Sequence, residues 1–240
     1  LEVKGLTCPA VCKDINFQIR KGEILAFAGL MGAGRTEVAQ AIFGNLKKSK
    51  GEILIHGEKV TIKNPIQAMK HGIGFVTEDR KTEGLVLDFS IKENMFLTNL
   101  KTIAKGGFIQ TQQEQLHAGK YIEQLNIRCS DATQAVGSLS GGNQQKVVIA
   151  KWLSTKPDIL ILDEPTRGVD IGAKKEIYSI MNKLAEQGVA ILMISSELPE
   201  VLGMADRVMI MNEGRQTAIL DNIDLTQETI MHYATGGEEV

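Results

Sequence analysis

The sequence predicts an α/β fold: a mostly parallel sheet at the core, with an antiparallel β subdomain and an α-helical subdomain. Three observations carry this. The first third reads as short alternating strands, residues 85–155 keep a helical period without strong strand signals, and beyond 155 apolar runs alternate with helix-period segments. At ~150 residues per domain, 240 residues suit a single domain, 1–240, with the helical segment inserted in its core. Hydrophobic residues are 43% and charged residues 23%, ordinary globular usage with ample core material.

Along the chain, residues 2–6, 15–19, 23–27 and 52–55 read as strands, with turn signals at Lys21-Gly22 and His56-Gly57. Ile15, Phe17 and Ile19 alternate with Asn16, Gln18 and Arg20, which predicts an antiparallel sheet with one wet face. The run Ile24-Leu25-Ala26-Phe27-Ala28 is apolar throughout, so that strand is buried on both faces. In the middle, Leu116, Lys120, Ile122 and Leu125, then Val147, Ile149, Ala150 and Leu153, recur at helical spacing. Strand 159–162, helix 173–186, strand 190–194, helix 199–204 and strand 208–211 follow with short links, which requires parallel pairing.

Composition excludes several classes. The 27 Lys+Arg against 29 Asp+Glu give a net charge of −2, with no electrostatic footprint for nucleic acid. Cys8, Cys12 and Cys129 form an odd set without a C-x-x-C pair, so reduced, inert thiols in a cytosolic setting are expected. No apolar run approaches ~18 residues and no basic segment precedes an apolar one at the start, so neither a membrane span nor a secretion signal is expected. The strand pattern already under way at Leu1 suggests a piece of a longer polypeptide.

Glycine is in excess, 24 residues against a usual ~7%, and its placement leads to the chemistry. Gly29, Leu30, Met31, Gly32, Ala33, Gly34, Arg35 and Thr36 stand one substitution from the GxxxxGK[ST] phosphate loop. A strand feeding such a turn into a helix aims backbone N–H groups at one point, at the positive end of the helix dipole. Thr36 stands where a hydroxyl reaches Mg²⁺. Position 35 holds Arg in place of Lys, a broad planar fork where the motif wants a slim point charge. A glycine-rich turn that binds nothing has the same local pattern.

Ile-Leu-Ile-Leu-Asp-Glu at 159–164 is a buried strand that delivers two carboxylates to its C-terminal edge, where ligands sit in such sheets. Asp163 suits a Mg²⁺ ligand, and Glu164 suits the base that polarises an attacking water.

Leu139-Ser140-Gly141-Gly142-Asn143-Gln144-Gln145 opens a helical run 24 residues before Asp163. LSGG, a Gln-rich turn, a helix and then the ILILDEP strand resemble the ATP-binding cassette family. That resemblance implies a P-loop NTPase of the ABC type with a RecA-like core, binding ATP and Mg²⁺ and hydrolysing ATP. Such cassettes pair head to tail, so Leu139, Ser140, Gly141, Gly142 and Asn143 are expected to grip the γ-phosphate of ATP held by a partner's phosphate loop. Ser140 acting only as a helix N-cap is the plainer alternative, although a cap does not need two following glycines.

Glu164–Lys174, Thr77–Leu85 and Ile194–Val201 narrow the likeness to the C-terminal cassette of bacterial monosaccharide importers, of ribose and galactose type. The resemblance implies a preceding cassette in the same polypeptide, an integral-membrane sugar permease and, indirectly, a periplasmic or extracellular sugar-binding protein, with the chain at the cytoplasmic face of the cell membrane. It also adds Asp170 to the nucleotide-binding set. Departures from the family pattern surround one nucleotide. Residues 7–14 hold no aromatic to stack on adenine, Glu78 replaces the Gln that reports γ-phosphate to the membrane subunit and is itself expected at the nucleotide and its metal, Ser196 replaces the catalytic switch His, and Arg35 replaces Lys. Together these predict an impaired site on this chain's own phosphate loop, beside an intact signature that completes the partner's site. The segment around 78–95, with Leu85, Val86, Leu87 and Phe89 beside Asp79, Arg80 and Lys81, suits permease docking.

Overall fold

Alternation at the start of the chain builds a four-stranded antiparallel sheet. β1 (Glu2–Cys8) pairs with β2 (Cys12–Gln18). After β3 (Ile24–Gly29) and α1 (Arg35–Phe43), β4 (Lys50–Ile55) pairs with the other edge of β1, and β5 (Glu58–Val60) completes the order β2-β1-β4-β5. On β2, Ile15 and Phe17 are buried while Asn16 and Gln18 are exposed, the expected wet and dry faces.

The chain continues through α2 (Pro65–Lys70) and β6 (Ile73–Val76), a π-helical turn at Arg80–Gly84, and α3 (Ile91–Phe96). A hairpin follows, β7 (Ala104–Lys105) and β8 (Phe108–Ile109), then α4 (Thr111–Gln124) and α5 (Gly141–Leu153). Next come β9 (Ile159–Asp163), α6 (Ile171–Glu186), β10 (Ala190–Ile194), α7 (Leu198–Met204), β11 (Arg207–Asn212), β12 (Arg215–Asp221) and α8 (Gln227–Ala234).

The computed structural model describes residues 1–237. They form two compact units, one of Leu1–Phe75, Asp158–Glu164 and the chain from Met181 onward, the other of Val76–Pro157 and Pro165–Ile180.

In the first unit a six-stranded sheet has the order β12-β11-β3-β10-β9-β6. β10 pairs in parallel with β9, as the strand–helix–strand alternation requires, and β3 inserts between β10 and β11, parallel to both. Every residue of β9 and β10 is buried, and Leu25, Ala26 and Phe27 are fully buried, which explains their unbroken apolar runs. Phe27 meets Phe17 edge to face at 5.2 Å between ring centroids. β12 joins β11 through the tight turn Glu213-Gly214, both at positive φ.

The second unit is mainly helical. It departs from the expectation at β7–β8, two residues each around Gly106-Gly107, both at positive φ. Strands this short show no alternation in sequence, so only the glycine pair marks the hairpin. α5 is buried almost all round, including Lys146 and Lys151. Lys146 pairs with Glu176 and donates to the Asn126 carbonyl at 2.7 Å, and Lys151 donates to the Gly84 carbonyl. Buried ammonium groups need such partners. Among the described residues no helix is long and apolar enough to cross a membrane.

Candidate functional site: a phosphate loop and a signature helix

In the first unit, β3 ends at Gly29, where a side chain would lie 2.4 Å from the Met211 carbonyl; only glycine fits. Gly34, at φ +95°, precedes α1, and no side chain caps that helix, so its first-turn N–H groups stay available to an anion. The loop is tied from behind. Gly214 N–H donates to the Ala33 carbonyl at 3.0 Å, and the Gly214 carbonyl accepts from Lys13 N–H at 2.8 Å. Leu30 is exposed and Met31 is 99% exposed, so these two contribute backbone alone. A cavity of about 550 Å³ is lined by Thr7, Cys8, Val11, Lys13, Gly214 and Arg215 among others, and of these Val11 and Gly214 lie against Gly34 of the loop. None of its lining residues is aromatic, in keeping with residues 7–14.

Arg35 does not reach round the loop. Its guanidinium donates to the Ser195 carbonyl at 2.7 Å, on the side of Glu164 and Asp163. Burial lowers its pKa, and the neighbouring Glu164 and Asp163 carboxylates oppose that shift. Asp163 is 1% exposed and neither carboxylate oxygen completes a hydrogen bond. Burial pushes its pKa up to about 6; the Thr36 hydroxyl lies near enough to favour the ionised form without forming a full bond. Two orphaned, buried carboxylate oxygens beside a hydroxyl are a donor set that fits Mg²⁺, a hard cation that takes oxygen ligands. Glu164 sits in a left-handed conformation at φ +46°, and Ser196 Oγ donates to its Oε2 at 3.1 Å. The expectation placed Ser196 where the family pattern has its switch His; in the structure its hydroxyl is bonded to the Glu164 carboxylate.

In the second unit, Ser140 takes the N-cap position of α5, yet its hydroxyl caps nothing. It accepts from Asn143 Nδ2 at 2.9 Å. Leu139 is buried, and its carbonyl accepts from Gln144 Nε2 at 3.2 Å. The two glycines have a packing reason of their own. A Cβ on Gly141 would meet Arg80 Nη2 at 2.7 Å, and one on Gly142 would meet the Ala173 Cβ at 2.4 Å. Their presence is therefore explained without a phosphate. Asp170 accepts from Ala173 N–H at 3.0 Å, which holds the first turn of α6. Glu78 is ion-paired with Arg167, and Arg80 donates to the Arg167 and Gly168 carbonyls at 2.7 and 3.1 Å. Arg167 offsets the extra carboxylate that Glu78 brings, a partner that sequence reading missed. The pair is 89 residues apart, and no local pattern announces it.

A protein-family model described as ABC transporter matches residues 12–167. The chain belongs to the ABC transporter family. Among curated relatives, a "Ribose import ATP-binding protein RbsA" of Bacillus cereus is 56% identical over 237 residues, 99% of this chain and 48% of that protein. The protein of that name from Lactococcus lactis subsp. lactis is 58% identical over 226 residues, 94% and 46% of the two lengths. The chain thus spans about half the length of the curated relatives it matches. The fold is shared with solved cassettes. The post-hydrolysis dimer of the ATP-binding cassette MJ0796 bound to ADP and Pi has a TM-score of 0.78 at 21% identity, covering 93% of this chain and 99% of that one. CbiO1 from Clostridium perfringens, part of the ABC transporter complex cbiONQ, has a TM-score of 0.79 at 24% identity, covering 96% and 91%.

Proposed function

We propose that this chain is the second ATP-binding cassette of a two-cassette polypeptide that powers monosaccharide import, of ribose first, through a membrane permease at the cytoplasmic face. The observation that carries this reading is the identity of more than half to ribose import ATP-binding proteins along nearly the whole chain. Half-length coverage suits one cassette of a two-cassette polypeptide, the altered residues Arg35, Glu78 and Ser196 favour the second, and the exposed Val86 and Phe89, with Leu87 half-buried, support docking of the permease near 78–95. Leu85 is buried and takes no part.

In this reading Gly29 to Thr36 hold the triphosphate of ATP through backbone N–H groups and the helix dipole. Thr36 and Asp163 would hold Mg²⁺, which supplies charge neutralisation to the phosphates when bound. Glu164 takes the proton of the attacking water, and the Ser196 hydroxyl keeps the carboxylate aimed. Arg35, committed to the Ser195 carbonyl, gives the phosphates less than a free lysine would. The site on this chain's own loop therefore works slowly, while Ser140 and the open start of α5 complete the competent site on the first cassette.

The test combines the chain with the first cassette and follows ATP hydrolysis. Ser140→Ala is expected to remove the activity gained on mixing by about tenfold or more, and Arg35→Ala by no more than about threefold. Equal losses from the two changes would overturn the asymmetry. Uptake of labelled ribose, arabinose and galactose by cells carrying the complete system then separates the sugars.

A further inference from the structure

Asn143 lies in the signature turn, where the simple expectation is direct contact with nucleotide. Its side chain is engaged otherwise. Oδ1 accepts from the backbone N–H of Arg128 at 2.9 Å, and Nδ2 donates to Ser140 Oγ at 2.9 Å. The first bond settles the second. A backbone N–H can only donate, so the oxygen end of the amide must face Arg128 and the nitrogen end must face the serine. In that contact Ser140 must therefore accept, which leaves its own proton free to point elsewhere.

The segment that supplies Arg128 is itself held. Lys146, 1% exposed, donates to the Asn126 carbonyl at 2.7 Å and pairs with Glu176, and Glu176 also accepts from the Arg128 guanidinium at 3.3 Å. Ser140, Asn143, Arg128 and Glu176 line one small cavity of about 100 Å³. With the N-cap hydroxyl released from capping, both that O–H and the first N–H groups of α5 are left as donors.

We infer that Asn143 is a positioning residue: by donating to Ser140 Oγ, it fixes that oxygen and keeps the serine proton available for donation to an anionic oxygen such as a terminal phosphate. Were the amide oxygen turned toward the serine, it would take the serine proton and leave a lone pair facing phosphate; with the nitrogen end there, that loss of the proton is prevented. The inference rests on the proposed pairing, in which Ser140 serves ATP on another cassette.

A double-mutant cycle on the mixed cassettes, with Mg²⁺ and ATP, tests it. Asn143→Leu keeps the side-chain size and removes both polar ends; it is expected to lower kcat about tenfold with KM for ATP changed less than about threefold, as loss of an interaction made in the transition state does. In a Ser140→Ala background the same change should cost nothing further, because Asn143 acts only through the serine hydroxyl. Asn143→Gln, which keeps an amide, should recover part of the rate. Losses that multiply in the double variant would overturn the inference and leave the proposed pairing standing. If Ser140→Ala alone costs nothing, the pairing and the inference fall together. A hydrogen-exchange measurement on the chain alone checks the geometry: the Arg128 amide should exchange at least tenfold faster in Asn143→Leu, and unchanged exchange there also overturns it.

Discussion

Asp163 is held in a state that costs stability at neutral pH. Burial keeps its carboxyl at about 6, above the ordinary 3.8, so between roughly pH 4 and pH 6 the folded chain binds a proton that the unfolded chain releases. Stability from this residue is therefore lost as pH rises through that window. Asp163→Asn should raise the melting temperature in EDTA at pH 8 by several degrees, an effect bounded by about 3 kcal/mol, and the gain should vanish near pH 4. Calorimetry at the two pH values checks this; an equal gain at both would show that the carboxylate is not strained. Mg²⁺ should narrow the difference at pH 8 by stabilising the parent alone.

Among the elements, α5 and the start of α6 are fitted to each other at one point. Gly142→Ala improves helix propensity by roughly 1 kcal/mol in isolation, but here its Cβ falls 2.4 Å from that of Ala173. The expected result is a net loss of about 1–3 kcal/mol, as for overpacked cores, recovered when Ala173→Gly is added. Urea unfolding of the three variants measures both steps. Such a contact shows which features a sequence discloses. Gly29, Gly34 and Asp163 were legible because a strand, a turn and a helix follow one another within a few residues, so the chemistry is written locally. The parallel run of β9, β10 and β11 was legible for the same reason, whereas the insertion of β3 between β10 and β11 was not, since those partners lie more than 160 residues away in the chain. The bonds from Arg80 to the Arg167 and Gly168 carbonyls join residues 87 and 88 positions apart, and nothing near Arg80 marks them. The use of Asn143 and Ser196 to aim neighbours, Ser140 and Glu164, was hidden likewise, since residue type names a hydrogen-bonding group but not its partner.

For the molecule as a whole, thiol chemistry reports on opening. Burial and the neighbouring Cys12 push the Cys8 thiol up to about 12, and burial with Asp131 raises Cys129. Cys8 in the folded chain thus carries about a thousandfold less thiolate at pH 7.5 than an unperturbed thiol. Iodoacetamide should label it on the timescale of unfolding, and all three cysteines within minutes in guanidinium; rapid labelling of Cys8 under native conditions would contradict its burial. The tie between the β11–β12 turn, Ala33 and Lys13 bears on how such cassettes can be recombined. A phosphate loop bearing lysine, transplanted from another cassette as residues 29–36 alone, would meet a turn and a β1–β2 tip shaped for a different guest. Functional chimaeras should require 11–14, 29–36 and 211–215 to travel together, so the unit of exchange is three segments scattered over two hundred residues of chain.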